Sequence, residues 1–271
     1  MSQLELPLVV EPDALERHLG AEGLLVVDLS KPEVYSQLHV PGAVHLDYGQ
    51  VIAAQPPRGG LLPDTAQLSR VLSAIGLTPD RHVVACDDEG GGKACRLLWT
   101  LDVLGHRRYS LLDGGLHAWA NEQHPLDNAP AQVPPTDYQA KIGTEGIADW
   151  AYVLEHLQDP EVALLDCRTP EEYQGIKRLA ARGGHIPGAV NLEWTRAMDP
   201  NRNLRLRPVE ELRATLESLG LRPDREVITY CQTHHRSAHT YILLKALGYP
   251  RVRGYPGSWS DWGNRSDTPI E

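Results

Sequence analysis

The sequence predicts an α/β protein built from two similar domains, each a mainly parallel sheet flanked by helices. Three observations carry that prediction. A series of landmarks occurs twice, in the same order and at a nearly fixed offset. Within each copy, short apolar runs alternate with stretches of helical spacing. A proline-rich segment separates the copies and interrupts both patterns.

The first landmark is "LLVVDLSKPEVYSQLHVPGAVHL" from Leu24, matched by "ALLDCRTPEEYQGIKRLAARGGHIPGAVNL" from Ala163. "LTPDRHVVACD" from Leu77 then matches "LRPDREVITYC" from Leu221, which sets Asp87 opposite Cys231, 144 positions apart. "DGGLHAW", ending at Trp119, matches "YPGSWSDW", ending at Trp262, 143 positions on. The runs "LLVVDL", "HVVAC", "VALLD" and "EVITY" are apolar on both faces, as strands of a covered parallel sheet must be. In "EELRATLESLG", Leu212, Leu216 and Leu219 keep helical spacing. "SAHTYILLKALG" reads as a second helix stopped by Gly248. The prolines of "HPLDNAPAQVPPTDY" restrict the chain to extended and turn conformations. The expected domains are residues 1–126 and 144–271, with a linker over 127–143.

The composition narrows the function classes. A chain of 271 residues with 41% hydrophobic and 23% charged content suits two globular domains. Its formal charge of −10 disfavours nucleic-acid and anionic-membrane partners, because the field repels phosphates. "GLLVVDL" and "YILLKAL" are too short to span a bilayer, and "MSQLELPLVVEP" lacks a secretory pattern, so a cytoplasmic protein is expected. Cys86, Cys95, Cys167 and Cys231 lie in unlike surroundings and predict reduced thiols, not a disulfide framework.

The chemistry concentrates in "TYCQTHHRSAHT", Thr229 to Thr240. Cys231 ends the run "EVITY", where open α/β sheets place their ligands, and a helix follows six residues later. Inward N–H groups of the loop, the positive end of the helix and Arg236 together favour a thiolate. The dipole alone supplies only about 0.3–1 kcal/mol, so all three are needed. Arg236 has a plainer alternative as a helix-start residue tied to a carboxylate. A zinc set of Cys231, His234, His235 and His239 would consume the thiolate, and the segment has no further cysteine or carboxylate ligand, so no metal is expected. His234 and His235 are expected to line the mouth of the pocket. Cys86, Cys95 and Cys167 read as small buried hydrophobes.

Two copies, the "HVPGAV" and "HIPGAV" segments, a lone cysteine heading the loop of the second copy, and the late "GSWSDW" together resemble the tandem-domain rhodaneses, the thiosulfate sulfurtransferase family. The similarity runs from about Val9 to about Pro269, and "CQTHHR" resembles the loop of a bacterial type. The resemblance implies that Cys231 takes the outer sulfur of a donor such as thiosulfate, holds it as a persulfide and yields it to a thiophilic acceptor. It implies no cofactor. Gln232, Thr233, His234, His235 and Arg236 would hold the donor and the persulfide. Arg182, in "ARGGHIPG", would contact an anionic donor or else be a solvated charge. The first copy, with Asp87 in place of the thiol, is expected to be inactive. A monomer with small-molecule substrates is expected. One alternative is a persulfide carrier serving a sulfur-accepting protein; another is a 3-mercaptopyruvate sulfurtransferase. Against the latter, relatives using a keto-acid donor carry an arginine near the "EEY" position, where this chain has Glu171 and Glu172. Cysteine-dependent phosphatases with a similar loop place five residues between cysteine and arginine, whereas here four intervene.

Overall fold

A computed structural model describes residues 4–271. The strands of the first half are β1 (Val9–Val10), β2 (Leu24–Asp28), β3 (Val44–His45), β4 (Ala53–Gln55), β5 (Arg58–Leu61), β6 (His82–Cys86) and β7 (Tyr109–Leu112). Those of the second half are β8 (Val162–Asp166), β9 (Val190–Asn191), β10 (Met198–Asp199), β11 (Arg205–Leu206), β12 (Glu226–Tyr230) and β13 (Val252–Gly254). The four apolar runs named above are β2, β6, β8 and β12.

Each half builds an all-parallel sheet, in the order β1-β7-β6-β2-β3 and β13-β12-β8-β9. The second sheet lacks a full counterpart of β1 and has only the parallel bridge of Ile147 to Gly254 in its place. Helices cover the sheets, which explains why β6 and most of β12 are buried residue by residue. The expected helix over 210–220 forms as Val209–Ser218, with Leu212 and Leu216 buried and Leu219 capping its end. The other forms as Arg236–Ala246, and Gly248 follows at φ +88°.

The chain divides into two compact units. Unit 1 holds residues up to Val51, Pro63–Gly143 and Met198–Leu206; unit 2 holds Ile52–Leu62, Thr144–Ala197 and Arg207–Glu271. Unit 2 therefore contains the β4–β5 hairpin from the first half of the sequence, and unit 1 contains the β10–β11 hairpin from the second. The proline-rich residues 127–143 run within unit 1, where the N–H groups of Thr136 and Tyr138 bond to Ser73 and that of Gly143 bonds to Val103.

Trp119 and Trp262 anchor the two cores identically. Each is wholly buried, and each indole N–H donates to a proline carbonyl downstream, Pro125 at 2.6 Å and Pro269 at 2.7 Å. Val26, Val84 and Leu112 pack around the first, and Leu164, Ile228 and Tyr230 around the second.

Candidate active site

Strand β12 lies between β8 and β13, so its carboxyl end opens at the middle of the unit 2 sheet. Cys231 is the next residue and is 1% exposed. Its N–H has left the ladder and donates to Ser258 Oγ at 3.2 Å. The His234 N–H donates to the same oxygen at 3.1 Å, and the Ser258 hydroxyl donates to Tyr255 O at 2.7 Å. One hydroxyl thus uses its proton and both lone pairs to tie the two ends of the loop.

The loop turns at His234, whose φ of +54° lies in the left-handed region. This overturns the placement of His234 at a pocket mouth. The residue is fully buried, with Nδ1 2.7 Å from Ser237 Oγ, because the left-handed turn aims its side chain under the following helix. Ser237 Oγ also hydrogen-bonds the Cys231 sulfur. A hydroxyl has one proton, so when the sulfur is ionised and accepts it, Nδ1 of His234 is the donor to Ser237. His235 sits at the N-cap position of the helix and lies beside Trp194, with ring centroids 5.8 Å apart.

Arg236 is the first residue of the helix and hydrogen-bonds the Cys231 sulfur. Its guanidinium also grips Glu172 in a bidentate pair at 2.6 and 2.9 Å. Glu172 is 2% exposed and is itself fixed by a capping box, accepting from the Thr169 N–H at 3.3 Å. Arg236 thus contacts the sulfur and is tied to a carboxylate at once. Burial pushes the Glu172 carboxyl up, but the hydrogen bond and charge of Arg236 outweigh it and hold it below the usual range.

Cys231 shows the same contest. Burial pushes its thiol up; the Arg236 charge, the Ser237 hydroxyl and the N–H groups of Ser237 and Thr233 prevail and hold it below the ordinary thiol range. Cys86, Cys95 and Cys167 are equally buried, and burial drives all three thiols well above that range.

Of the other expected residues, Gln232 spans outward, its Nε2 donating to Leu179 O at 3.0 Å. Thr233 supplies an N–H to the sulfur, and its carbonyl faces Gly60 of β5. A Cβ on Gly60 would stand 1.9 Å from Thr233 O, so strand β5 of the hairpin lies directly on the active loop. Gly59 and Ser260 fix this strand, with the Gly59 N–H 2.9 Å from Ser260 Oγ. Arg182 donates to Thr268 O at 2.8 Å and Trp262 O at 2.9 Å, and so braces the C-terminal segment.

Glu172 was named in the sequence only against the keto-acid reading, and Ser237, Ser258 and Gly60 were not singled out. The repeat held a signal for the first. Glu172 aligns with Val34 and Arg236 with Gly92, so both members of the ion pair are absent from the first copy together. There the loop after β6 closes on its own side chain. Asp87 Oδ1 accepts from the N–H groups of Glu89 at 3.0 Å and Gly91 at 2.8 Å, and Oδ2 from Ala94 at 2.9 Å. The carboxylate fills the cradle that the sulfur occupies in the second copy.

A family model described as "Rhodanese-like domain" matches residues 11–122 and 149–265. A protein named thiosulfate sulfurtransferase from Azotobacter vinelandii is 49% identical over 269 residues, covering 98% of this chain and 97% of its own. One of the same name from Pseudomonas aeruginosa is 47% identical, covering 98% of each. The sulfur carrier protein TtuD of Thermus thermophilus is 31% identical over 97% of this chain and 96% of its own. Among solved structures, EanB in complex with ergothioneine superposes on 97% of this chain and 70% of its own, with a TM-score of 0.87 and 21% identity, a likeness of fold.

Proposed function

The chain belongs to the rhodanese family, and on that premise we propose that it is a thiosulfate sulfurtransferase working through a persulfide on Cys231. The observation that carries the reading is a buried thiol on which Arg236, Ser237 and the loop N–H groups converge, favouring its ionised form. The thiolate attacks the outer sulfur of thiosulfate and a new S–S bond forms. The old S–S bond breaks, and its electron pair leaves on sulfite. An acceptor such as cyanide then attacks the outer sulfur of the persulfide, and the pair of that S–S bond returns to Cys231. Covalent catalysis of this kind divides one difficult transfer into two easier ones. The same donors serve thiolate and persulfide in turn, because each form places negative charge in one cradle.

Arg236 and the amides of Gln232 to Arg236 form the proposed anion-binding set, with His235 at its edge. Arg182, whose donors brace Trp262 and Thr268, plays no part in it. The 3-mercaptopyruvate alternative calls for a cation near "EEY", where Glu172 instead faces Arg236. A loop with four residues between cysteine and arginine is one short of the phosphatase cradle. Among the described residues no helix is long and apolar enough to cross a membrane, and a cytoplasmic monomer is part of this proposal.

Thiocyanate production from thiosulfate and cyanide is the test. Saturable turnover lost in Cys231→Ala is expected. The similarity to a protein named a sulfur carrier favours a second reading, delivery to a protein acceptor, and slow stoichiometric release would select it.

A further inference from the structure

The second copy carries an insertion that the fold does not require. His39 follows Tyr35 by four positions in the first copy, whereas His185 follows Tyr173 by twelve in the second. Both pairs clasp in the same way. The rings stack at 3.9 Å in the first and 3.6 Å in the second. Each tyrosine hydroxyl donates to the carbonyl of an equivalent alanine, Ala43 or Ala189, at 2.7 Å. The shorter connection closes the clasp equally well, so the eight extra residues serve another purpose.

Their placement points to it. The far end of the insertion is fixed by the Ala181 N–H on Asn264 Oδ1 at 2.8 Å and by the Arg182 brace. The arch before it touches the catalytic loop, since Gln232, next to Cys231, donates from its side chain to Leu179 O. On this arch Ile176 is 72% exposed and Leu179 49%, two of the few large apolar side chains left in water. Lys177 and Arg178 between them are exposed as well, and from Gln174 to Gly184 there is no acidic residue, in a chain of formal charge −10. Isolated exposed apolar residues need no explanation, but a pair flanking two cations beside a buried nucleophile makes a surface of defined character.

We infer that the arch Ile176–Ala180 is the docking surface for an acidic, sulfur-accepting protein that presents its thiol beside apolar residues. The inference rests on the persulfide reading above and names the class of acceptor. The acceptor's thiolate attacks the outer sulfur of the Cys231 persulfide; the S–S bond to Cys231 breaks, its electron pair restores the Cys231 thiolate, and the acceptor leaves as a persulfide. Lys177 and Arg178 attract the acidic face, and Ile176 and Leu179 cover its apolar contact. A basic acceptor would be drawn by the charge of the whole chain but repelled at the arch.

The full chain is loaded with thiosulfate, freed of excess, and mixed with cyanide, with a short cysteine peptide bearing leucines and glutamates, or with the same peptide bearing lysines for glutamates. The glutamate peptide should discharge the persulfide about tenfold faster than the lysine peptide at low salt, an advantage that shrinks as salt screens it. The double substitution Lys177→Glu with Arg178→Glu should reverse the order. Ile176→Ser with Leu179→Ser should slow the glutamate peptide about tenfold. Cyanide should discharge all three proteins within about twofold, which also shows that the variants are folded. Equal rates for the two peptides, or a preference unmoved by the charge reversal, would overturn the docking surface while leaving sulfur transfer intact. A chain that never loads sulfur on Cys231 would overturn the underlying reading, and the docking surface with it.

Discussion

Gly60→Ala places a methyl group where the structure leaves no room. The new Cβ would lie 1.9 Å from Thr233 O and 2.6 Å from its carbonyl carbon, against ordinary contacts from 3.4 Å, so the first must open by 1.5 Å. Gly60 also sits at φ +68°, which for alanine costs about 1–2 kcal/mol. The struck carbonyl belongs to the peptide whose N–H, on His234, binds Ser258. Moving that peptide disturbs the tie across the loop and the Thr233 N–H aimed at the sulfur. Losing one hydrogen bond to the charged sulfur is worth about 1.5–3 kcal/mol. That corresponds to a fall in sulfur transfer of about 10- to 150-fold. The thiol should also need higher pH to ionise, because a donor to its charged form has gone. The assay pairs thiocyanate production with the pH dependence of Cys231 alkylation, which a merely structural loss would leave in place. Gly59→Ala is the control: its Cβ would meet Thr233 Cγ2 at 3.2 Å and Ser260 Oγ at 4.0 Å, and an activity within about threefold is expected. Full activity in Gly60→Ala with an unchanged alkylation profile would refute the claim that the hairpin positions the loop.

Asp87→Cys in a Cys231→Ala background should transfer sulfur at less than about one-hundredth of the native rate, since Gly92 and Val34 stand where Arg236 and Glu172 are needed; thiocyanate production checks this. Arg236→Ala should abolish transfer and leave Glu172 buried without its partner, a loss of about 3–5 kcal/mol at neutral pH in denaturant unfolding. With Arg236 present the Glu172 carboxyl is held low, so its stabilisation is present above the ordinary carboxylate range and is lost as pH falls through the lowered value. The deficit of the variant should therefore shrink towards acid pH. Asp113 is pushed up to about 6 by burial, although the Leu206 N–H at 2.8 Å opposes the shift. Its raised value means that stability falls as the carboxyl ionises between the ordinary range and about pH 6. Asp113→Asn keeps an acceptor for Leu206 and should stabilise the chain at pH about 8 by at most about 3 kcal/mol, with no gain at pH about 4; urea midpoints at the two pH values decide.

The sequence disclosed the elements whose signal is local. β2, β6, β8 and β12 appear as apolar runs because a covered parallel strand buries both faces, and Cys231 was placed by the end of one such run. The two-residue strands β1 and β9 carry too few positions for any periodicity. The β4–β5 hairpin contains Ala53–Gln55 and Arg58–Leu61, short and largely polar, and its docking on Thr233 depends on residues far apart in the chain. Within the site, Arg236 was legible from its distance to the cysteine, while the part of Glu172, 64 positions earlier, became visible only because the other copy has Val34 and Gly92 in place of the pair. His234 was misplaced because a left-handed backbone angle at a non-glycine residue leaves no local mark.

The most direct test of the account is the mass of the chain after thiosulfate. Native protein incubated with thiosulfate and desalted without reductant should gain about 32 Da, mapped to the peptide bearing Cys231 and removed by cyanide. Cys231→Ala should gain nothing, and Cys86, Cys95 and Cys167 should stay unmodified. A sulfur found on one of those three, or thiocyanate formed at the native rate with no sulfur ever held on Cys231, would contradict it.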